Sequence, residues 1–221
     1  MAKTKNYQHF CPVARSLEVI GEKWSLLVVR DLLRGPQRFS DLHRYLGGIT
    51  PKWLSHRLRD LEEAGIVERL AEPGRREVWY RLTPKGRDLE PVLRALVVWG
   101  VDHAMRPPLP DEPVYPEQTL QAIAAYMSAT GVRLNRPVTW LFVYPERQVT
   151  VRFDGERWFT EQDGVEADVV IMTTARGWIE IMTAEPRRRE QLLKALDVRG
   201  DPERVAELVA VLSGRAGVSA P

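Results

Sequence analysis

Residues Thr50-Pro51-Lys52-Trp53-Leu54-Ser55-His56-Arg57-Leu58-Arg59-Asp60-Leu61-Glu62-Glu63-Ala64-Gly65 read as one amphipathic helix, and the rest of the chain is arranged around it. Thr50 is a good N-cap and Pro51 suits the first helical position. Gly65 sits where a left-handed cap ends a helix. Leu54, Leu58 and Leu61 recur at helical spacing and make a core stripe. Lys52, Ser55, His56 and Arg59 fall on the other side, with Arg57 flanking. Trp53 is assigned to packing, ahead of contact with a thymine methyl or a sugar. The acids Asp60, Glu62 and Glu63 crowd the last turns, so the N-terminal half suits the approach of a polyanion. A helix entering the DNA major groove leads with its N-terminal residues. The bland alternative is a solvated face on a core helix.

The flanking sequence weighs against that alternative. Arg38 to Leu46 reads as a short helix with Phe39, Leu42 and Leu46 inward, and Gly47-Gly48 makes a tight turn. Helix, glycine turn, helix is a helix-turn-helix pattern. Downstream, Ile66-Val67-Glu68-Arg69-Leu70 and Glu77-Val78-Trp79-Tyr80-Arg81-Leu82 read as two strands. Glu72-Pro73-Gly74-Arg75-Arg76 joins them as a turn that ends in two arginines. Such a wing can hold phosphates or enter the minor groove. Upstream, Cys11 to Ile20 reads as a first helix ended by Gly21. Lys23 to Leu33 reads as a second, with Trp24, Leu27, Val28 and Leu32 inward. After the wing, Arg87 to Met105 reads as a long helix with Leu89, Leu93, Leu96, Val97, Trp99 and Gly100 along one face. Such a helix has little of its own domain to pack on. Together with the first helix it is expected to pair with a second subunit.

Composition sets the outer limits. The chain has 221 residues, 44% hydrophobic and 28% charged, enough for two modest domains. No apolar run is long enough to span a membrane, and residues 1–8 lack a signal-peptide core. A single cysteine excludes an intramolecular disulfide and fits a reducing, cytoplasmic setting. Neither a metal site nor a cofactor is expected from one cysteine and four scattered histidines. The net charge of +2 hides an asymmetry. Residues 1–106 carry 19 Lys and Arg against 13 Asp and Glu, and residues 107–221 carry 13 against 17. A basic half joined to an acidic half points to the first half as the one that meets nucleic acid.

The segments Cys11-Pro12-Val13, Gly21-Glu22-Lys23-Trp24, Leu33-Arg34-Gly35-Pro36-Gln37-Arg38-Phe39 and Arg57-Leu58-Arg59-Asp60-Leu61-Glu62 resemble the HxlR family of bacterial regulators. So do Gly65-Ile66-Val67 and Tyr80-Arg81-Leu82-Thr83-Pro84-Lys85-Gly86. The resemblance covers about residues 10–103. It implies a dimeric winged-helix protein that binds double-stranded DNA, related in shape to MarR regulators. The wing departs from many relatives, with Gly74-Arg75-Arg76-Glu77 in place of a proline-rich approach to the second strand. Cys11 lies where several relatives carry a redox-sensing thiol. A helix N-terminus can favour the reactive thiolate, and with no second cysteine only an intersubunit disulfide or a small-thiol adduct is open. The bland reading of Cys11 is a small buried residue at the start of a helix.

Residues 107–116 hold five prolines and read as a stiff linker. Domains are therefore expected at 1–106 and 117–221. In the second, helical patterns at Glu117–Thr130, 175–183, 188–196 and 202–212 surround strands at 138–144, 148–153, 157–161 and 167–173. Strands first and helices after give an α+β fold. The arrangement from Ala167-Asp168-Val169 through a helix to Asp197-Val198-Arg199-Gly200-Asp201 and a last helix resembles the sterol-carrier-protein type-two fold. That resemblance implies an apolar cavity for a hydrophobic small molecule. Candidate lining residues are Trp140, Phe142, Trp158, Phe159, Ile171, Trp178, Ile181 and Met182, each of which could equally fill a core. No glycine-rich phosphate loop, Gly-x-Ser-x-Gly elbow or metal cluster points to catalysis.

The expected whole is an α+β chain, a winged helix-turn-helix domain followed by a sterol-carrier-like domain. Its expected role is a repressor acting as a homodimer on a pseudo-palindromic operator. The expected DNA-binding residues are Thr50, Lys52, Ser55, His56, Arg57 and Arg59 on the helix, with Arg75 and Arg76 on the wing. The alternative is a carrier of hydrophobic ligands whose basic half serves protein contacts.

Overall fold

Two glycine-rich corners fix the path of the first half. Gly47 and Gly48 have φ of 52° and 67°, and Gly65 has 68°. These left-handed values are cheap only for glycine. They turn the chain sharply before and after the helix at Pro51–Glu63. The structure is a computed structural model, described over residues 6–71, 77–161 and 166–213. Contacts divide the chain into two compact units, to Leu93 and from Arg94.

The first unit runs α1 (Pro12–Ile20), α2 (Ser25–Leu32), β1 (Gln37–Arg38), α3 (Phe39–Leu46), α4 (Pro51–Glu63), β2 (Val67–Ala71), β3 (Val78–Leu82) and α5 (Pro84–Arg87). β2 and β3 form an antiparallel pair with Val67 opposite Leu82 and Ala71 opposite Val78. β1 adds to the other edge of β3, a pairing not legible in the sequence. The core joins Val28, Val29 and Leu32 of α2 to Leu42 and Leu46 of α3 and to Leu54, Leu58 and Leu61 of α4. Burying one such side chain is worth about 1.5–3 kcal/mol, so the leucine stripe fixes how α4 is rotated. Leu27, expected inward, is 38% exposed, and Ser25 takes a buried place on α2 instead. The expected single helix from Arg87 to Met105 is broken at Asp88 and Leu89, and α6 runs Glu90–His103.

The second unit continues with α7 (Pro116–Ala129), β4 (Val138–Tyr144), β5 (Arg147–Phe153), β6 (Trp158–Glu161), β7 (Val169–Met172), α8 (Ala175–Thr183), α9 (Pro186–Lys194), β8 (Asp197–Gly200) and α10 (Pro202–Leu212). The sheet order is β6-β5-β4-β7-β8. Only the β4–β7 pair is parallel, with Trp140 opposite Val169. Residues 138, 140, 142 and 144 of β4 alternate onto one face and pack with 149, 151 and 153 of β5. Leu120, Ala124 and Met127 of α7, Trp178 and Ile181 of α8, and Leu208 and Leu212 of α10 cover that face. The mixed helix and sheet content fits an α+β chain. No helix among the described residues is long and apolar enough to cross a membrane.

Candidate nucleic-acid interface

The first turn of α4 is built for exposure. Thr50 is the N-cap, and its hydroxyl accepts the backbone N–H of Trp53 at 3.3 Å. Pro51 takes the first helical position, where its missing N–H costs nothing. With Leu54, Leu58 and Leu61 essentially fully buried, the outward face is set. Lys52, Ser55, His56 and Arg59 all lie exposed on it. Thr50 is also exposed, at the helix lip. The structure thus brings together five of the expected residues on one solvent-facing surface. The dipole of the helix start adds a positive field there.

Arg57 departs from the expectation. It is 6% exposed, and its guanidinium pairs with Asp60 at 3.1 Å and Glu22 at 3.6 Å. Position 57 is three residues beyond Leu54 and four before Leu61, so it lies on the core stripe. It ties α4 to the loop before α2 and is not presented to a phosphate. Trp53 departs in the opposite sense. Expected to pack, it is 60% exposed. Its one ring neighbour in α4 is His56, with centroids 6.3 Å apart.

The far end of α4 is held from below. Lys85 donates from Nζ to the carbonyl of Ala64 at 2.7 Å. Ala64 is the C-cap residue, so this lysine satisfies a helix-end carbonyl. Thr83 donates its hydroxyl to the Gly65 carbonyl at 2.7 Å and accepts the Gly86 N–H at 3.1 Å. These contacts lock the strand pair to the helix. On the strands, Arg81 pairs with Glu68 at 2.6 Å. Arg38 pairs with Glu77 at 2.7 Å and lies over the Trp79 ring at 4.6 Å. Burial raises the Tyr80 phenol pKa above its ordinary value, partly offset by Arg69. Arg75 and Arg76, the expected wing tip, lie outside the described residues.

Cys11 is the N-cap of α1 and is half-buried, with a free thiol. In the second unit, six of the eight candidate lining residues are core. Trp140, Phe142, Trp158, Ile171, Trp178 and Ile181 are each at most 3% exposed. Their rings are in contact: Trp140 and Trp158 lie 4.7 Å apart, and Phe142 meets Trp178 edge-on at 4.8 Å. Phe159 and Met182 are half-buried. Two surface hollows of about 270 and 370 Å³ lie instead along residues 104–119 and 176–188. Of the eight candidates, none lines either hollow. Within the packed core, Trp140 Nε1, Tyr144 Oη and Trp178 Nε1 are buried with no hydrogen-bond partner among the described residues. Burial pushes the Tyr144 phenol far above its ordinary pKa. Among the described residues no group of three or more His, Cys, Asp or Glu is placed to hold a metal ion.

The packed helices α2, α3 and α4, a glycine turn before the last of them and the three-stranded antiparallel sheet β1-β3-β2 define a winged helix-turn-helix unit. The profile of the HxlR-like helix-turn-helix family matches residues 19–107. Over 98 residues the chain is 44% identical to an uncharacterized HTH-type transcriptional regulator of Mycobacterium tuberculosis. That match covers 43% of this chain and 60% of the mycobacterial protein. The regulator YtcD of Bacillus subtilis is 39% identical over 95 residues, 42% of this chain and 75% of YtcD. The crystal structure of YtcD superposes with a TM-score of 0.42 at 38% identity, covering 43% of this chain and 99% of that one. The reduced form of YodB from Bacillus subtilis gives 0.39 at 33% identity, covering 43% and 96%. The chain belongs to the HxlR-like helix-turn-helix family.

Proposed function

We propose that this chain is a DNA-binding transcription regulator, a repressor that works as a homodimer on a pseudo-palindromic operator. The observation that carries the reading is the exposed face of α4: Lys52, Ser55, His56 and Arg59 turned outward by a fully buried leucine stripe. Lysine and arginine are the usual partners of guanine edges, and the serine hydroxyl can donate to or accept from a base edge. The names of the relatives, HTH-type transcriptional regulators, support the same reading. Residues 1–106 would serve DNA binding and dimerisation, 107–116 would act as a linker, and 117–221 would sense or stabilise.

Dimerisation is supported by apolar surface left open on the terminal helices. Phe10, Val13 and Leu17 lie 98%, 65% and 42% exposed at α1. On α6, Leu96 and Trp99 are 46% and 60% exposed, and no residue of that helix is buried. Exposed apolar patches of this kind mark protein contacts. Cys11, at the start of α1, would act in such a dimer by an intersubunit disulfide or a small-thiol adduct. Full retention of an oxidant response in Cys11→Ser removes that role.

The test of the main reading is a gel shift on the duplex upstream of the chain's own gene. Binding that weakens steeply with salt is expected. No shift in dilute buffer overturns it.

A second strand of the reading is control by a hydrophobic small molecule in the second unit, which would be sterol-carrier-like. What favours it is the trio of buried polar atoms, on Trp140, Tyr144 and Trp178, that have no partner among the described residues. A buried donor without a partner costs about 1–3 kcal/mol. A guest with an apolar body and one hydrogen-bond acceptor would relieve that cost by repacking the aromatic core. Tryptophan fluorescence titrated with fatty acids should change and saturate, and a flat trace removes the ligand.

A further inference from the structure

Trp53 stands at the third position of α4, one residue before fully buried Leu54. The leucine stripe leaves the helix no freedom to roll the indole inward. Its backbone N–H is held by Thr50 Oγ1, so the first turn is fixed before anything binds. Single exposed apolar side chains are ordinary on protein surfaces. Trp53 differs in its setting: its neighbours Lys52, Ser55 and His56 are all exposed on the same leading half of the helix. His56 lies beside it with the two rings tilted at 52°.

The chemistry of the indole narrows what it can meet there. It carries no charge and one N–H donor, so it is a poor holder of phosphate. Its large apolar plane matches one major-groove feature, the C5-methyl group of thymine. A helix that leads with its N-terminal residues brings its third position to the base edges. We propose that Trp53 is a specificity-determining residue that reads a thymine in each half-site through its 5-methyl group. This proposal rests on the DNA-binding reading above. It gives α4 an apolar reader among donors and cations, so the preferred site requires a thymine where hydrogen bonding alone would not.

Deoxyuridine tests it, because it deletes the methyl group and leaves the hydrogen-bonding edges intact. The preferred duplex is first selected from a random library with the full chain. Each thymine is then replaced singly by deoxyuridine, and affinity is read by fluorescence anisotropy. One thymine per half-site is expected to lose about fourfold on replacement, the ~0.8 kcal/mol of one buried methyl-sized group. In Trp53→Ala that penalty should vanish, and in Trp53→Phe it should shrink. Because the side chain is exposed, both variants should keep the wild-type circular dichroism melt. Salt-sensitive binding that ignores every thymine methyl overturns this proposal and leaves DNA binding standing. An equal penalty in wild type and Trp53→Ala also overturns it. Absence of any duplex binding in dilute buffer overturns both readings.

Discussion

Replacing Arg57 or Arg59 with alanine should have opposite consequences, although the two sit two residues apart. Arg57 is buried, with its side chain 8% exposed. Its partners are not: the Asp60 and Glu22 side chains are 29% and 36% exposed. The two carboxylates left behind in Arg57→Ala therefore stay hydrated. Each pair contributes about 0.2–1 kcal/mol, closer to a surface bridge than to a buried one. The two stem methylenes lost, Cγ and Cδ, add at most about 0.8 kcal/mol each. Against these, the variant removes a buried Nε that lacks a partner among the described residues. That removal returns about 1 kcal/mol. The net expectation is a destabilisation of about 1–2 kcal/mol, read as a lower urea midpoint by circular dichroism. Affinity of the folded fraction for duplex DNA, and its salt slope, should stay as in wild type. Arg59→Ala should keep the urea midpoint and lose about 1–3 kcal/mol of operator binding. Unchanged stability of Arg57→Ala, together with a salt slope shallower by about one, would refute the assignment of Arg57 to the interior.

Three further outcomes follow from the packing. Trp99→Asp places a charge on the open face of α6 and should shift the sedimenting species from dimer to monomer; an unaltered species shows that this face is not the interface. In Gly86→Ala the new Cβ would meet the backbone carbonyl of Ile66, which cannot yield as a side chain can. A cost of about 1–3 kcal/mol is expected in urea denaturation, and a wild-type midpoint would contradict the close approach. Burial holds the Tyr144 phenol protonated beyond its ordinary value of 10.0. A raised folded pKa means that this stabilisation is complete below pH 10 and is lost as pH rises above it. Tyr144→Phe should flatten that alkaline decline, and an unaltered pH–stability curve would place the phenol in water.

Much of this was legible because local signals agreed. Thr50, Pro51 and Gly65 bracket α4, and Leu54, Leu58 and Leu61 give its rotation without any tertiary information. Sequence and structure part where the deciding partner is remote or where residue type competes with position. Arg57 reads as a DNA-binding residue in the sequence because Glu22, one of its two acids, lies thirty-five residues upstream. Trp53 looked like core because it is large and apolar, yet its angle on the helix puts it outside. β1 and β8 leave no sequence signal because a two-residue strand and the polar run Asp197–Gly200 carry no period-2 pattern. Aromatic residues in the second unit could line a cavity or fill it, since composition is the same either way. Contacts such as Trp140 with Trp158 decide that question only once the sheet register is known.

The central claim is that an exposed, donor-rich helix face, doubled by a second copy of the chain, holds duplex DNA. The direct measurement is sedimentation of the full chain with a labelled duplex from the region upstream of its gene, at a series of salt concentrations. Two chains per duplex are expected, with an affinity whose logarithm falls linearly with the logarithm of salt. One chain alone, with no duplex bound at the lowest salt, would contradict it.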